Sequence, residues 1–283
     1  LQGQITTDKS AKEIRLVLED SKSRKTESSK AAVGEDGRYE FRGLTGRSYR
    51  LTAYVDGKKQ DRREIEIVCR PGTLLSKDFH YGRSPQTLML SFPAEDPDTV
   101  DVAELNGDFP RTVLRDYERA FEDHINGNIP RAVQRLEAII QIAPDFYGAH
   151  ARLGLIFQQE GCFGDAEAEY IKASELSPRS VQPLINLASA QIRSADLPGQ
   201  REASINRALA SLSKVLDLRP TSAIAHCLTG AAKYKLEAYE EARASYEHAL
   251  DIDGGLGVAR LMLANLLLHQ EKWRDRKSTR LNS

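Results

Sequence analysis

The chain has 283 residues, with 40 basic and 41 acidic side chains and a formal charge of −1. Near-neutrality gives no reason to expect steering onto nucleic acid or an anionic membrane, and no apolar run approaches the roughly 20 residues that a membrane-spanning helix needs. Cys69, Cys162 and Cys227 show no CxxC spacing, so three unconnected thiols are expected rather than a disulfide framework or a zinc site.

Leu1 stands where a Met would, and Gln4-Ile5 already reads as strand, so the natural start is expected to be missing and the compartment is not legible from a leader. Through the first third the apolar residues alternate with period two: residues 14–18, 39–41, 49–55 and 65–68, with a further apolar segment at 87–92. Asp36-Gly37 and Asp56-Gly57 sit between such runs, the chemistry of tight turns that need positive φ. Short strands punctuated every ten or so residues predict a small antiparallel β-sandwich. Residues 36–57, DGRYEFRGLTGRSYRLTAYVDG, resemble the central strands of the carboxypeptidase-regulatory-like, transthyretin-like sandwich, with residues 3–5 as its opening strand. The Asp, Gly, Pro and Gly-Ala that the family places early are missing, and residues 6–12 stand there instead. That resemblance implies a non-catalytic accessory module related in shape to some carbohydrate-binding domains. Either a spacer or a polysaccharide-binding surface follows, the latter wanting an aromatic platform for which Tyr39, Tyr49 and Tyr54 are candidates.

Pro85, Pro93, Pro97 and the acidic run at 95–98 mark residues 82–109 as a linker with room for edge strands at 87–92 and 99–105. The acidic run lacks the spaced ligands and central Gly of a calcium loop. Asp108 is expected to cap a helix whose first turn holds Pro110.

Thereafter the period is helical. Pro144, Pro178, Pro220 and Gly254 close successive units at intervals of 34, 42 and 34 residues. Units of that length built from two amphipathic helices are the mark of a solenoid. Residues 147–178 carry Leu153, Gly154, Phe157, Ala166, Tyr170 and Ala173 at the seventh, eighth, eleventh, twentieth, twenty-fourth and twenty-seventh places, which resembles the tetratricopeptide repeat (TPR). Gly154 is read as facing Ala166 across the hairpin, and Gly161 as ending the first helix in a left-handed conformation. Residues 113–144 form a degenerate first copy, with Arg119 and Asp123 where Leu and an aromatic are usual. The third copy, 181–220, carries eight extra residues within 194–205, a possible binding loop that closure entropy tolerates in any case. The fourth runs over 223–254, and a fifth starts at Gly257. Its apolar face of Leu263, Leu266 and Leu267 is expected to lack cover where the chain enters the tail DRKSTRLNS, which resembles a translated sequencing adapter.

The expected architecture is therefore a multidomain α and β chain: an N-terminal antiparallel β-sandwich over residues 1–81, a linker over 82–109, an all-α TPR solenoid over 110–273 and an artefactual tail over 274–283.

No HExxH, G-x-S-x-G or GxxxxGK[ST] occurs, so no enzyme, metal or cofactor is expected. His150 and His226 share the fourth place of their copies and read as packing groups. The TPR resemblance implies a concave groove lined by the first helix of each copy, binding a protein or peptide partner. Its positions fall on Tyr117, Phe121 and His124, then Leu155, Gln158 and Gln159, then Ile185, Ser189 and Arg193, then Tyr234 and Lys235. Arg193 and Lys235 would grip a carboxylate, whereas Tyr117 and Phe121 would serve either as aromatic anchors or as packing against the sandwich. The subtype that grips chaperone C-termini uses Lys and Asn where Tyr117, Phe121 and Arg152 stand, which argues against that ligand. The pairing of modules also resembles bacterial envelope proteins, implying export to the periplasm or envelope. A protein-binding scaffold leads, with polysaccharide binding by the sandwich as the alternative.

Overall fold

Seven strands precede nine helices among the residues that the computed structural model describes: 2–7, 14–20, 28–33, 38–41, 48–55, 58–66, 69–70, 79–81, 109–197 and 199–281, with 271–281 and much of the strands as backbone alone. The turns at 36–37 and 56–57, the acidic run at 95–98, the candidate edge strands of the linker and Asp108 lie outside them.

The strands are β1 (Gln2–Thr7), β2 (Ile14–Asp20), β3 (Ser28–Ala32), β4 (Arg38–Glu40), β5 (Ser48–Val55), β6 (Lys58–Glu66) and β7 (Phe79–Tyr81). They form a four-stranded sheet ordered β3-β2-β5-β6 and a three-stranded sheet ordered β4-β1-β7. The alternation read from the sequence is realised in the register, where Leu16 lies opposite Ala53 and Leu18 opposite Leu51, so the buried side chains of β2 and β5 share one face. Tyr39 and Phe41, from β4 and just beyond it, are buried and meet edge to face at 6.0 Å. Two expectations need correction. The pairing is not wholly antiparallel, because β7 runs parallel to β1. And β6 begins at Lys58 rather than at Ile65, pairing its charged N-terminal half with β5 through backbone groups that take no account of side-chain polarity.

The helices are α1 (Arg111–Ile125), α2 (Ile129–Ile142), α3 (Tyr147–Glu160), α4 (Phe163–Leu176), α5 (Gln182–Ser194), α6 (Arg201–Leu218), α7 (Ala223–Lys235), α8 (Tyr239–Ile252) and α9 (Gly257–Leu281). Each of the four copies folds as a hairpin: α1 on α2, α3 on α4, α5 on α6, α7 on α8. Successive hairpins stack, with α3, α5, α7 and α9 touching in sequence as one row. Pro110 is itself the N-cap of α1, its carbonyl accepting from Val113 and Leu114 N–H, so the helix starts after the proline rather than around it. The helix α9 continues through residues 274–281, beyond the boundary expected at residue 273.

The hairpins are closed by one volume rule. The eighth and twenty-fourth places pair Gly154 with Tyr170 and Gly230 with Tyr246, and a Cβ on either glycine would sit 2.8 or 2.6 Å from a tyrosine ring carbon. The tyrosine ring is thus the nearest neighbour of each glycine, and beside Gly230 the backbone oxygen of Ala242, at the place Ala166 holds in the second copy, follows at 3.1 Å. In the other two copies the same places, allowing for the eight-residue insertion, hold Ala120 with Leu136 and Ala188 with Leu212, all buried. A smaller aliphatic side chain leaves room for the methyl group that tyrosine forbids. The insertion is shared between two elements: α6 has 18 residues against 14 in α4, and the turn before it, 195–200, is longer than the two-residue turn at 161–162.

The β region and the helices share a core. Leu16, Tyr39, Leu51, Val113, Leu136 and Phe157 belong to one buried cluster, and a second begins at Val181 and runs to Leu266. A covalent link reinforces the junction. Cys69 is disulfide-bonded to Cys162 across 93 residues of chain, and Cys227 alone is a free, buried thiol. The expectation of three unconnected thiols is therefore corrected. Sequence spacing is blind to it because the two sulfurs meet only through tertiary packing.

Candidate functional site

The row of first helices carries the predicted groove positions, and their neighbours differ from one end to the other. On α1, Tyr117 packs edge-on against Phe146 at 5.1 Å, which Phe109 also meets at 4.8 Å. Tyr117 thus serves the core at the entry to the first hairpins. Phe121, four residues on, is 39% exposed, and the Arg152 guanidinium of α3 lies 4.5 Å from its ring centroid. His124 Nε2 lies 2.7 Å from Gln159 Oε1, tying α1 to α3 one turn further along. Leu155 is half-buried between these pairs in the sequence of α3.

Further along, several positions join neighbouring hairpins. Tyr170 Oη donates to Gln158 Oε1 at 2.8 Å, and Gln158 Nε2 donates to Ser189 Oγ at 3.1 Å. Burial pushes the Tyr170 phenol well above its ordinary range, so it remains a donor. Ser189 is buried, and Ile185 is only 1% exposed within the second core cluster. Arg193 stacks over the Phe163 ring at 5.2 Å. Lys235 is paired with Asp196 from the insertion, and Arg201 lies 3.9 Å from Glu237, so the inserted segment leans on the fourth copy. Tyr234 is half-buried in a ring cluster with Tyr239 at 5.6 Å and His269 at 6.0 Å. The structure thus leaves Phe121, Leu155, Gln159, Arg193 and Tyr234 at least partly exposed, while it encloses Ile185 and Ser189.

A polar centre missed by the sequence reading lies at the junction with the β region. Arg70 N–H donates to Asp165 Oδ2 at 2.8 Å, and its Nη2 meets Glu169 Oε1 at 2.5 Å. The other carboxylate oxygen of Glu169 lies 2.7 Å from His150 Nδ1, and His150 Nε2 reaches the Pro144 carbonyl at 3.0 Å. Burial opposes the charge on Glu169, but the hydrogen bonds and charges of His150 and Arg70 outweigh it and hold its carboxyl below the ordinary 4.5. His150 is therefore a buried hydrogen-bonding group rather than a mere packing one. His226 repeats part of this device, its Nε2 lying 3.1 Å from the Pro220 carbonyl six residues back. Cys69, Cys162 and Asp165 also bring possible metal-ligand atoms together, but the sulfurs are bonded to each other and the carboxylate accepts from Arg70.

Tyr39 and Tyr49 are buried and Tyr54 is half-buried, so the aromatic platform that a polysaccharide site wants is absent from these three residues. No helix among the described residues is long and apolar enough to cross a membrane.

No family model matches the sequence, and no curated protein matches it. Solved structures do resemble its helical region. The MamA protein aligns at 18% identity over 60% of this chain and 88% of its own, with a TM-score of 0.48. TTC0263, a thermophilic TPR protein of Thermus thermophilus, aligns at 19% over 56% and 82%, also at 0.48. The first TPR domain of human RPAP3 aligns at 20% over 47% and 98%, at 0.40. These are likenesses of backbone fold.

Proposed function

We propose that the protein is a non-enzymatic scaffold that holds a protein or peptide partner in the concave groove lined by α1, α3, α5 and α7. The observation that carries this reading is the continuity of the row: α3, α5 and α7 touch in sequence, His124–Gln159 ties α1 to α3, and Phe121, Leu155, Gln159, Arg193 and Tyr234 offer partly exposed contact groups along it. Aromatic and arginine side chains are the groups that dominate the energetics of protein interfaces. The two sheets act as an accessory sandwich of the carboxypeptidase-regulatory-like type, fixed to the first hairpins by the disulfide and the Arg70–Glu169 pair. A disulfide of this kind persists in oxidising compartments, which supports export to the periplasm or envelope.

The test is affinity capture with the immobilised full chain, beside a Phe121→Ala, Leu155→Ala, Tyr234→Ala variant checked for unchanged circular dichroism. A partner retained by the parent and lost by the folded variant supports the groove. Equal retention by both removes it.

A further inference from the structure

The two sulfurs of the Cys69–Cys162 disulfide have different surroundings. Cys69 is half-buried, whereas Cys162 is 0% exposed and belongs to the core cluster that strands and helices share. Thiol–disulfide exchange starts when a thiolate attacks one of the two sulfurs, and access decides which one. Access here favours Cys69, which makes Cys162 the leaving group. Cys162 is also the N-cap of α4: its carbonyl accepts from Ala166 N–H at 2.9 Å, and no side chain caps that first turn. A sulfur released there sits at the positive end of the helix, where a thiolate is stabilised. A more stable leaving thiolate opens the bond faster. Asp165, with a carboxylate oxygen within 4.8 Å of both sulfurs, opposes that charge. Its Oδ2 accepts from Arg70 N–H, which moderates the repulsion.

The same junction holds the two cysteines in register without the bond. Arg70, next to Cys69, donates from its backbone to Asp165 at 2.8 Å and from its side chain to Glu169 at 2.5 Å. Its guanidinium also lies 5.2 Å from the Phe157 ring centroid. Asp165 and Glu169 both stand on α4, the helix that Cys162 caps. Behind them Leu16 and Leu51 pack in one cluster with Leu136 and Phe157. Opening the bond removes a tether and leaves these contacts to keep the sulfurs apposed.

From this asymmetry we infer that Cys69–Cys162 is a reversible exchange site for dithiols, with Cys69 as the sulfur that is attacked. One thiolate of the dithiol bonds to Cys69 Sγ as the S–S bond breaks, and the bonding pair leaves on Cys162 Sγ. The second thiol of the same molecule, once deprotonated, attacks the dithiol sulfur of that mixed disulfide and expels Cys69 Sγ with its electron pair. The dithiol is oxidised to a disulfide, the cystine is reduced to two cysteines, and the two protons of the dithiol pass to the two cysteine sulfurs. A disulfide oxidant drives the same steps in reverse. The groove plays no part in this chemistry.

The test treats the oxidised full chain with dithiothreitol in native buffer, then alkylates after denaturation and maps the peptides of Cys69 and Cys162. Both cysteines are expected to become labelled while far-UV circular dichroism stays unchanged, at a rate that non-denaturing urea does not raise. Exchange into oxidised glutathione should then restore the bond. A bond that opens only as circular dichroism is lost, or that fails to re-form, is a structural staple and overturns the site. Native reduction also shows that the chain folds without the bond, so serine variants can read the direction of attack. Folded Cys162→Ser and Cys69→Ser are each challenged with oxidised glutathione. Glutathionylation of Cys69 in the first is expected to be at least about tenfold faster than that of Cys162 in the second. Equal rates, or the reverse order, would overturn Cys69 as the attacked sulfur.

Discussion

At the scale of single residues, the hairpins are governed by contacts of one or two atoms. A Cβ at Gly154 would sit 2.8 Å from two carbons of the Tyr170 ring, so Gly154→Ala is expected to cost about 1–3 kcal/mol and a leucine at least as much. The first and third copies hold Ala and Leu at the same two places. The double variant Gly154→Ala, Tyr170→Leu should therefore recover part of the loss, and a thermal-denaturation cycle over the four proteins reads the coupling. The fifteenth place makes a second case. Gly127 and Gly161 adopt φ of 77° and 82° there, and the fourth copy holds Glu237 in the same left-handed region at 63°. A side chain at such a φ costs about 1–2 kcal/mol, whereas its ion pair with Arg201, at 3.9 Å between exposed groups, contributes little. Glu237→Gly is predicted to raise stability by about 0.5–1 kcal/mol after the greater unfolded-state entropy of glycine is counted. Unchanged or lowered chemical-denaturation midpoints would contradict this.

At the scale of elements, the junction between the β region and α4 has a pH signature. The Glu169 carboxyl is held below its ordinary 4.5, so its contribution is present above that value and is lost as pH falls through the lower folded one. Glu169→Gln is predicted to flatten the loss of stability on acidification below about pH 4.5 relative to the parent, and to cost about 2 kcal/mol at neutral pH. That is less than a fully buried pair would cost, because the Arg70 side chain is partly exposed. Melting curves of both proteins through the acid range decide the matter. The elements also differ in how far sequence exposes them. The four hairpins were legible because Pro144, Pro178 and Pro220 punctuate a helical apolar period, and Leu16, Leu18, Leu51 and Ala53 announced β2 and β5 by alternation. The strand β3, Ser28–Ala32, was not, since small and polar residues there carry no β signal and pairing with β2 alone creates it. The candidate site was half legible. Phe121 and Tyr234 follow from repeat position, but the burial of Ile185 and the stacking of Arg152 on Phe121 depend on which side chains neighbouring helices bring, and one repeat read in isolation contains neither.

At the scale of the whole molecule, two core clusters and one covalent bond give the chain its order. The first cluster spans strands and hairpins, so the β region is a structural neighbour of α1–α4 rather than a tethered bystander. Closing 93 residues of chain with Cys69–Cys162 is worth about 4–5 kcal/mol in the loop-entropy account. Alkylation of the denatured chain without reductant is expected to label one cysteine, Cys227, and with reductant three. Labelling of all three without reductant would remove the bond and the inference of an oxidising compartment. The folded protein should resist even single labelling, because burial pushes the Cys227 thiol up to about 12 and hides it.

In the proposed scaffold the row of first helices, and no other face, receives the partner. Hydrogen–deuterium exchange of the full chain, alone and saturated with a captured partner, tests it most directly. Added protection is expected in α1, α3, α5 and α7, strongest around Phe121. Protection confined to α2, α4, α6 and α8 or to the strands would contradict it.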